Sequence, residues 1–335
     1  MERSENRIRT QLSARKAKTG KLYVARAGVR SFLKGETWRG IVRHKSLYLF
    51  VLPAVVLTCI FSYAPMFGLV IAFQDYNIVD GVWGSEFIGF KMFRQILFSY
   101  DASYMVFRNT VYIALLRIAT NFPMILLFAL MVHEVRNKRL NRLIMTISYV
   151  PYFISWVAVS GMTFILFDRD GTLNRILAAF GADPINWYAE PDKWWGILSV
   201  SSLWKSMGWC TLIYMASLGT IDDELYDACR IDGGGRFRQA LTVTIPGLMN
   251  VMIMQLILDI GSIMSDNYDQ IRALTMGSEA VDKAVYVVGA LEFSDTMHGT
   301  FTRGTCYGLI RGVIGLVLVI LSNKLAKSTD NEGIL

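Results

Sequence analysis

The stretch LYLFVLPAVVLTCIFSYAPMFGLVIAF, residues 47–73, contains no charged side chain over 27 positions. A helix of about 20 apolar residues crosses the hydrocarbon core of a bilayer, which is about 30 Å thick. Inside that core the backbone must satisfy its own hydrogen bonds, so only helices and closed β-barrels span it. The run is far longer than a barrel strand, and it therefore predicts a membrane-spanning helix.

Five more apolar runs follow the first one. They are residues 104–132, 143–167, 194–221, 247–265 and 304–323. The whole chain is 53% hydrophobic and 18% charged, against about 45–50% and about 25% in a typical soluble domain. We therefore expect an all-α membrane protein with six transmembrane helices.

The distribution of basic residues predicts the orientation in the membrane. With the N-terminus in the cytoplasm, the inner segments carry 22 Lys and Arg residues and the outer loops carry 8. Because inner segments of membrane proteins are enriched in these residues, both termini are predicted to be cytoplasmic. The first 46 residues hold 13 of the bases and only 3 acids. A basic flank directly before a span is typical of an anchor against anionic lipid, so we expect a lipid-bilayer partner and no nucleic acid.

The segment between the fourth and fifth runs reads IDDELYDACRIDGGGRFRQALTVTIP, residues 221–246. Thr220 and Asp223 have the spacing of a capping box, which predicts a helix start. Gly233 and the two glycines after it are expected to break that helix in a sharp turn. A second short helix should follow, closed by Pro246 at the membrane. The result is a small helix–turn–helix on the cytoplasmic side, a shape that suits insertion into a groove on another protein.

This segment resembles the EAA loop of bacterial ABC-importer permeases, which forms the coupling helices that dock onto the ATPase subunits. The loop has Glu-Ala-Ala, three residues, Gly, nine residues and then Ile-x-Leu-Pro. The resemblance implies these coupling residues: Glu224, Asp227, Ala228, Cys229, Asp232, Gly233, Phe237 and Pro246. Cys229 replaces the second Ala, and Asn250 stands where many relatives have a second Pro.

The chain from about residue 47 to residue 327 resembles the LplB-like branch of polysaccharide and oligosaccharide permeases. Two of the stretches that carry the likeness are residues 63–77 and 148–157. The resemblance implies the type I ABC importer (MetI-like) permease fold in a bacterial inner membrane, and carbohydrate import. It also implies a heterodimer with a second permease, two ATPase subunits that use ATP and Mg, and an extracellular sugar-binding lipoprotein. This chain would itself bind no cofactor and catalyse no reaction.

The resemblance and the apolar runs together predict that the chain consists of five parts. They are a basic cytoplasmic tail (1–46), the first span (47–73), an extracellular loop (74–103), a core permease domain of five spans that includes the coupling loop 221–247 (104–327), and a cytoplasmic C-terminal tail (328–335).

The last three apolar runs each contain one charged residue, namely Lys205, Asp259 and Arg311. A charge at the bilayer centre costs about 2.5–3.5 kcal/mol on insertion scales, so these side chains should face the bundle or water. Asp259 either lines the path of a sugar or forms an intramembrane pair with Arg311 or Lys205. The residues leave both interpretations open.

Two further groups of residues are candidates for substrate contact and for helix packing, and each has an alternative explanation. Asn267, Tyr268 and Gln270 follow the fifth run, and they either contact the substrate or simply cap a helix end. A GxxxGxxxG stripe on the last run lets helices approach closely, either within the subunit or against the partner permease. Its members are Gly304, Gly308 and Gly312.

Other function classes fit less well. The glycine turn at residues 232–236 is not a P-loop, because GxxxxGK[ST] occurs nowhere in the sequence, so we expect ATP to be hydrolysed by another subunit. The cysteines form no CxxC pair and the histidines match no ligand spacing, so no metal site is predicted. The remaining alternative is a secondary transporter, which would have no need of a coupling loop and would work without ATP.

Overall fold

The computed structural model describes residues 43–99, 101–265, 268–275, 281 and 284–328. The expected N-terminal tail lies almost entirely outside this part, as does the C-terminal tail beyond Ser328. The helices are α1 (Lys45–Thr58), α2 (Gly81–Gly84), α3 (Lys91–Phe98), α4 (Asp101–His133), α5 (Lys138–Tyr149), α6 (Trp156–Phe167), α7 (Thr172–Ala179), α8 (Trp194–Leu218), α9 (Asp223–Ile231), α10 (Arg236–Gln239), α11 (Ile245–Gly261), α12 (Tyr268–Thr275), α13 (Val288–Met297) and α14 (Phe301–Ser328).

Almost all regular structure in the described residues is helical, as predicted. The strands there are β1 (Gln74–Asp75) and β2 (Glu86–Phe87), which pair antiparallel in a short hairpin. The chain divides into two units, with the boundary between Gly68 and Leu69. The described part of the first unit is helical, and the second unit contains the helices that position the candidate site.

Among the described residues, four helical runs are long and apolar enough to cross a membrane: Lys45–Phe73, Ser103–His133, Arg236–Gly261 and Phe301–Ser328. They coincide with the first, second, fifth and sixth predicted spans. A fifth span is added if the bent pair Lys138–Phe153 and Trp156–Ala179 crosses as one unit.

The third predicted span is not the single straight helix that its charge-free run suggested. The two halves of the pair meet at an angle of 101°. Pro151 lies in a 3₁₀ turn after α5, and the hydroxyl of Ser155 accepts a hydrogen bond from the backbone N–H of Ala158 at 3.2 Å. A proline turn followed by a serine cap ends one helix and starts another, which explains the bend.

The fourth predicted run is helical over 25 residues as α8, although it is not among the apolar runs above. Several of its polar side chains are buried, including Ser199, Ser202 and Thr211. A helix enclosed by neighbours does not need an apolar surface all round, and α8 packs along α4 and α5. The approach to α5 is close, because a Cβ added at Gly208 would lie 2.2 Å from the carbonyl carbon of Ser148.

Candidate functional site: a coupling segment and a polar cavity

The coupling segment, residues 221–246, begins with a helix that is capped by Asp222. The Asp222 carboxylate accepts a hydrogen bond from the N–H of Glu224 at 3.0 Å. The predicted cap at Thr220 is wrong, because the Thr220 hydroxyl donates backwards to the carbonyl of Ser217 at 2.7 Å. An aspartate at the cap also places negative charge at the positive end of the helix dipole.

The glycine turn has the geometry that its sequence predicts. Gly233 has a φ of 76°, which is the left-handed region that residues with a Cβ rarely adopt. The N–H of Gly234 donates to the carbonyl of Cys229 at 2.8 Å, which closes the end of α9. A Cβ at Gly234 would lie 2.5 Å from the Cys229 Sγ, so this position also needs a glycine.

Pro246 does not end the second helix of the segment. α10 continues through a π-helical turn, Ala240–Thr244, directly into α11, so that the helical run extends from Arg236 to Gly261. A π-helical turn changes the local geometry just before the proline, where its ring would otherwise clash with the preceding turn. The prediction that Pro246 closes a short helix at the membrane is therefore wrong.

The surface of the coupling segment is open and partly apolar. None of the residues of α9 is buried. Ile231 is 87% exposed and Phe237 is 79% exposed, and Leu225 and Leu241 are also exposed. Clustered exposed apolar side chains mark an interaction surface.

The other predicted coupling residues lie on the same segment. The Asp227 carboxylate pairs with Arg230 at 2.8 Å, and Asp232 is the C-cap of α9. Cys229 is half-buried, with its Sγ 3.6 Å from the hydroxyl of Thr242. The predicted coupling residues that are exposed are Glu224, Asp227, Ala228, Asp232, Gly233, Phe237 and Pro246.

Two contacts join the coupling segment to the end of α4, and a third, within the segment, joins α9 to the turn that leads into α11. The Tyr226 hydroxyl lies 3.2 Å from the Thr244 hydroxyl. The ring of His133 lies 6.2 Å from the ring of Tyr226, measured between centroids. Glu134 and Arg236 form an ion pair at 3.5 Å. These contacts border a cleft of about 640 Å³, and they provide a mechanical link between the segment and two spans.

A second feature is a polar cavity of about 260 Å³ bounded by α4, α8 and α11. It is lined by Arg117, Asn121, Phe122, Ile125, Ser202, Ser206, Cys210, Tyr214, Gln255, Asp259 and Ser262. Hydroxyl, amide, carboxylate and guanidinium groups together offer both donors and acceptors, and aromatic rings add apolar faces. This chemistry suits a ligand with many hydroxyl groups and an apolar ring face.

The polar groups of the cavity are linked across helices by hydrogen bonds. The Gln255 amide donates to the Asp259 carboxylate at 3.2 Å, within α11. Arg117 donates from α4 to the Ser262 hydroxyl at 3.5 Å. The Asn121 amide donates from α4 to the Ser202 hydroxyl of α8 at 3.3 Å. A hydroxylated ligand entering the cavity would exchange these bonds for its own.

Lys205 and Arg311 form their hydrogen bonds and ion pair with groups other than Asp259. The Lys205 ammonium donates to the carbonyls of Pro151 at 3.3 Å and Tyr152 at 3.1 Å, and also to that of Ile154, so it caps the bend after α5. Arg311 pairs with Glu292 at 3.1 Å. Asp259 lies half-buried in the wall of the cavity, which Arg117 also lines. Both interpretations of Asp259 therefore stay predictions.

Tyr268 and Gln270, which follow the fifth span, are not among the residues that line the main cavity. The Gln270 side chain is 2% exposed and donates to the carbonyl of Leu198 and the hydroxyl of Ser201, so it holds α12 against α8. A small pocket of about 20 Å³ borders both Gln270 and Arg117. Burial raises the pKa of the Tyr268 hydroxyl, which therefore stays protonated. Asn267 lies outside the described residues.

The glycine stripe on α14 has two different surroundings. A Cβ at Gly304 would lie 2.9 Å from the Thr296 hydroxyl, and a Cβ at Gly308 would lie 3.1 Å from the Glu292 carboxylate. These two glycines therefore let α14 approach α13 of the same chain. A Cβ at Gly312 would meet nothing within 4 Å.

Most residues of the cavity were not singled out from the sequence. A signal was present, because polar side chains recur every four residues, for example at Arg117 and Asn121 and at Ser202 and Ser206. Positions four apart lie on one face of a helix. A polar face inside an apolar span is expected to point at other helices or at water.

Comparisons with known proteins agree with these features. The model of the family described as "Binding-protein-dependent transport system inner membrane component" matches residues 121–326. Protein LplB of Bacillus subtilis (strain 168) is 34% identical over 308 residues, which cover 90% of this chain and 95% of that protein. The polygalacturonan/rhamnogalacturonan transport system permease protein YteP of the same strain is 35% identical, with 88% and 91% covered.

A solved structure also matches the fold. It is the crystal structure of a bacterial alginate ABC transporter in complex with an alginate pentasaccharide-bound periplasmic protein. One chain of it superposes with a TM-score of 0.80 at 27% identity, and the match covers 89% of this chain and 99% of that chain.

Proposed function

Because the chain belongs to the family of binding-protein-dependent transport system inner membrane components, we propose that it forms one half of a carbohydrate import pathway, together with a second permease. It is a multi-pass membrane protein with the MetI-like fold of ABC-importer permeases. The driving reaction is ATP hydrolysis in two separate ATPase subunits, which bind the ATP and Mg. A sugar-binding lipoprotein delivers the cargo from outside.

The observation that carries the proposal is the exposed coupling segment. Its apolar side chains, above all Ile231 and Phe237, face outward on a helix–turn–helix that is tied to two spans. When the ATPase subunits close, they push on residues 224–238. The continuous helix from Arg236 to Gly261 passes that movement directly to Asp259, because both lie on one helical run.

The polar cavity supports an oligosaccharide or polysaccharide cargo. Its mixed donors and acceptors match sugar hydroxyls, and Phe122 and Tyr214 supply rings beside them. YteP is named as a transport system permease for polygalacturonan and rhamnogalacturonan, and the matched structure contains an alginate pentasaccharide. A carbohydrate cargo for this chain agrees with both.

The orientation follows from the same features. The basic α4–α5 connection and the coupling segment lie on one side of the bundle, since Glu134 pairs with Arg236. Residues 133–142 carry four Lys and Arg residues, and this enrichment supports the proposal that this side and both termini lie in the cytoplasm of the bacterial inner membrane.

The test is uptake of labelled oligosaccharides by vesicles that contain the purified assembly and the loaded binding protein. We expect uptake with ATP and Mg on the side of the coupling segment, and the same uptake after ionophores collapse all ion gradients. Uptake that follows an ion gradient and needs no ATP would support the secondary-transporter alternative instead.

A further inference from the structure

The start of α5 presents a basic groove, defined by Lys138, Arg139, Arg142, Leu143 and Thr146. These residues line an open cavity of about 350 Å³. Their positions recur at intervals of three and four, so they share one face of the helix. The three cations lie on the first turns, and the leucine and threonine follow toward the span.

The cations of the groove have no acidic partner within the described part of the chain, whereas neighbouring cations do. Lys138, Arg139 and Arg142 form no ion pair with any described residue. On the same side of the bundle, Arg230 pairs with Asp227 and Arg236 pairs with Glu134. Like charges three or four residues apart repel each other, so an anion in the groove would relieve this cost.

The helix start adds further positive potential. The side chain of Asn137 caps α5 by accepting the N–H groups of Arg139 and Leu140, at 2.9 and 3.3 Å. The helix that follows is 12 residues long, so its dipole adds partial positive charge at this end. The helix dipole and the three basic side chains therefore both favour an anionic ligand.

An apolar stripe continues from the groove along α5 and into the 3₁₀ turn that follows it. Leu140, Leu143, Ile147 and Val150 are between 46% and 63% exposed. A soluble anion would satisfy only the basic end, and an acidic protein surface would leave the apolar stripe uncovered. An amphiphile with an anionic head and a hydrocarbon tail matches both parts.

The groove also lies at the correct depth for a lipid headgroup. The end of α4 and the start of α5 are on the side of the coupling segment, because His133 contacts Tyr226 and Glu134 contacts Arg236. The side chains beyond Arg142 belong to an apolar run that enters the bilayer. Anionic lipids give the cytoplasmic leaflet a negative surface potential that attracts such clusters.

We propose that Lys138, Arg139 and Arg142 bind the phosphate-bearing headgroup of an anionic phospholipid, with its acyl chain along Leu143 and Ile147. This inference concerns a different surface from the coupling segment and the polar cavity, and it holds whichever cargo the protein carries.

The test is native mass spectrometry of the full-length chain in mild detergent, titrated with phosphatidylglycerol, phosphatidylcholine or soluble glycerol 3-phosphate. We expect the chain to bind one phosphatidylglycerol more tightly than phosphatidylcholine, and glycerol 3-phosphate only weakly. K138Q/R139Q/R142Q should weaken the phosphatidylglycerol binding more than about tenfold, since each cation near an anionic lipid contributes roughly fivefold.

A matched control removes the same charges elsewhere. K91Q/R169Q/R175Q also replaces one Lys and two Arg at exposed positions, and it should bind like the wild type. The charge-conserving variant K138R/R139K/R142K should retain lipid binding, which keeps the test valid if the glutamine variant folds poorly.

Four results would overturn the inference. The first is unchanged phosphatidylglycerol binding by the glutamine variant, and the second is loss of binding in the charge-conserving variant. Equal wild-type affinity for the two phospholipids, or for glycerol 3-phosphate, would exclude a site for anionic lipid. Loss of a co-purifying subunit from the glutamine variant without a change in lipid binding would show that a protein covers the groove.

Discussion

The coupling segment and the polar cavity depart from the usual arrangement of a soluble surface and an apolar core in opposite ways. In the coupling segment large apolar side chains are exposed, with Ile231 at 87% and Phe237 at 79%. In the cavity polar side chains are enclosed, with Ser202 at 6% and Tyr214 at 2%. In the proposed function the first surface is completed by another protein, whereas the second is enclosed by three helices of the chain itself. Damage to the first should therefore remove partners, whereas damage to the second should remove cargo.

The largest effect is expected when charge is placed on the coupling surface. I231D/F237D should reduce co-purification of the ATPase subunits at least about a hundredfold, because burying each large apolar side chain contributes about 1.5–3 kcal/mol. The measurement is the amount of ATPase recovered with the tagged chain. F180D is the matched control, since Phe180 is 86% exposed in the loop after α7. ATPase recovery by the double variant at the control level would refute a docking role for these residues.

The converse experiment removes the charge in the cavity. D259N should reduce uptake at low sugar concentration about ten- to hundredfold, because hydrogen bonds to a charged group contribute about 1.5–3 kcal/mol. ATPase recovery should stay at the wild-type level. D183N, at an exposed position, is the control for uptake. If D259N took up sugar like the wild type, or if it lost its ATPase subunits, the distinction between the two regions would fail.

A smaller effect is expected from packing beside the cavity. G208A should destabilise the folded chain by about 1–3 kcal/mol, because its Cβ would lie 2.2 Å from the backbone of Ser148. G196A on the same helix is the control, since a Cβ there meets nothing within 4 Å. Thermal unfolding in detergent measures both variants. Equal unfolding temperatures would mean that the contact between α8 and α5 is not a fixed part of the bundle.

The smallest effect is expected at the ion pair between the coupling segment and α4. E134R should reduce ATP-driven uptake by up to about fivefold, because an exposed pair contributes only about 0–1 kcal/mol. The double variant E134R/R236E exchanges the two charges and should restore the wild-type rate of ATP-driven uptake. R236E alone should take up sugar no faster than E134R. If the double variant is slower than both single variants, the contact between Glu134 and Arg236 does not carry the movement.

The difference between the two regions also explains what could be predicted from the sequence. The family, the helical fold class and the glycine turn were correct, because each depends on residues close together in the chain. The coupling motif occupies 26 consecutive residues. The turn at Gly233 could be predicted because a positive φ favours glycine whatever its distant contacts are. Two local details were wrong: the cap is Asp222 instead of Thr220, and Pro246 continues a helix instead of ending one.

The cavity depends on positions that are far apart. Arg117, Ser202 and Asp259 come from three helices, and their proximity depends on how α4, α8 and α11 pack. The sequence identified Asp259 by its charge but not its neighbours. The bend after α5 was missed although its proline turn and serine cap are local, because the charge-free run by itself predicts one straight helix. The contact of Lys205 with the carbonyls of this bend joins residues more than fifty positions apart. The roles of the coupling residues and of Asp259 stay predictions until they are tested by mutation.

The central claim is that the coupling segment binds a separate ATPase. The most direct measurement is affinity purification of the tagged chain from native membranes in mild detergent, with mass spectrometry and an ATP hydrolysis assay on the eluate. The account predicts recovery of a second permease and a P-loop ATPase, with hydrolysis stimulated by a sugar-loaded binding protein. Recovery of the chain alone, still able to move sugar into vesicles without ATP, would contradict it.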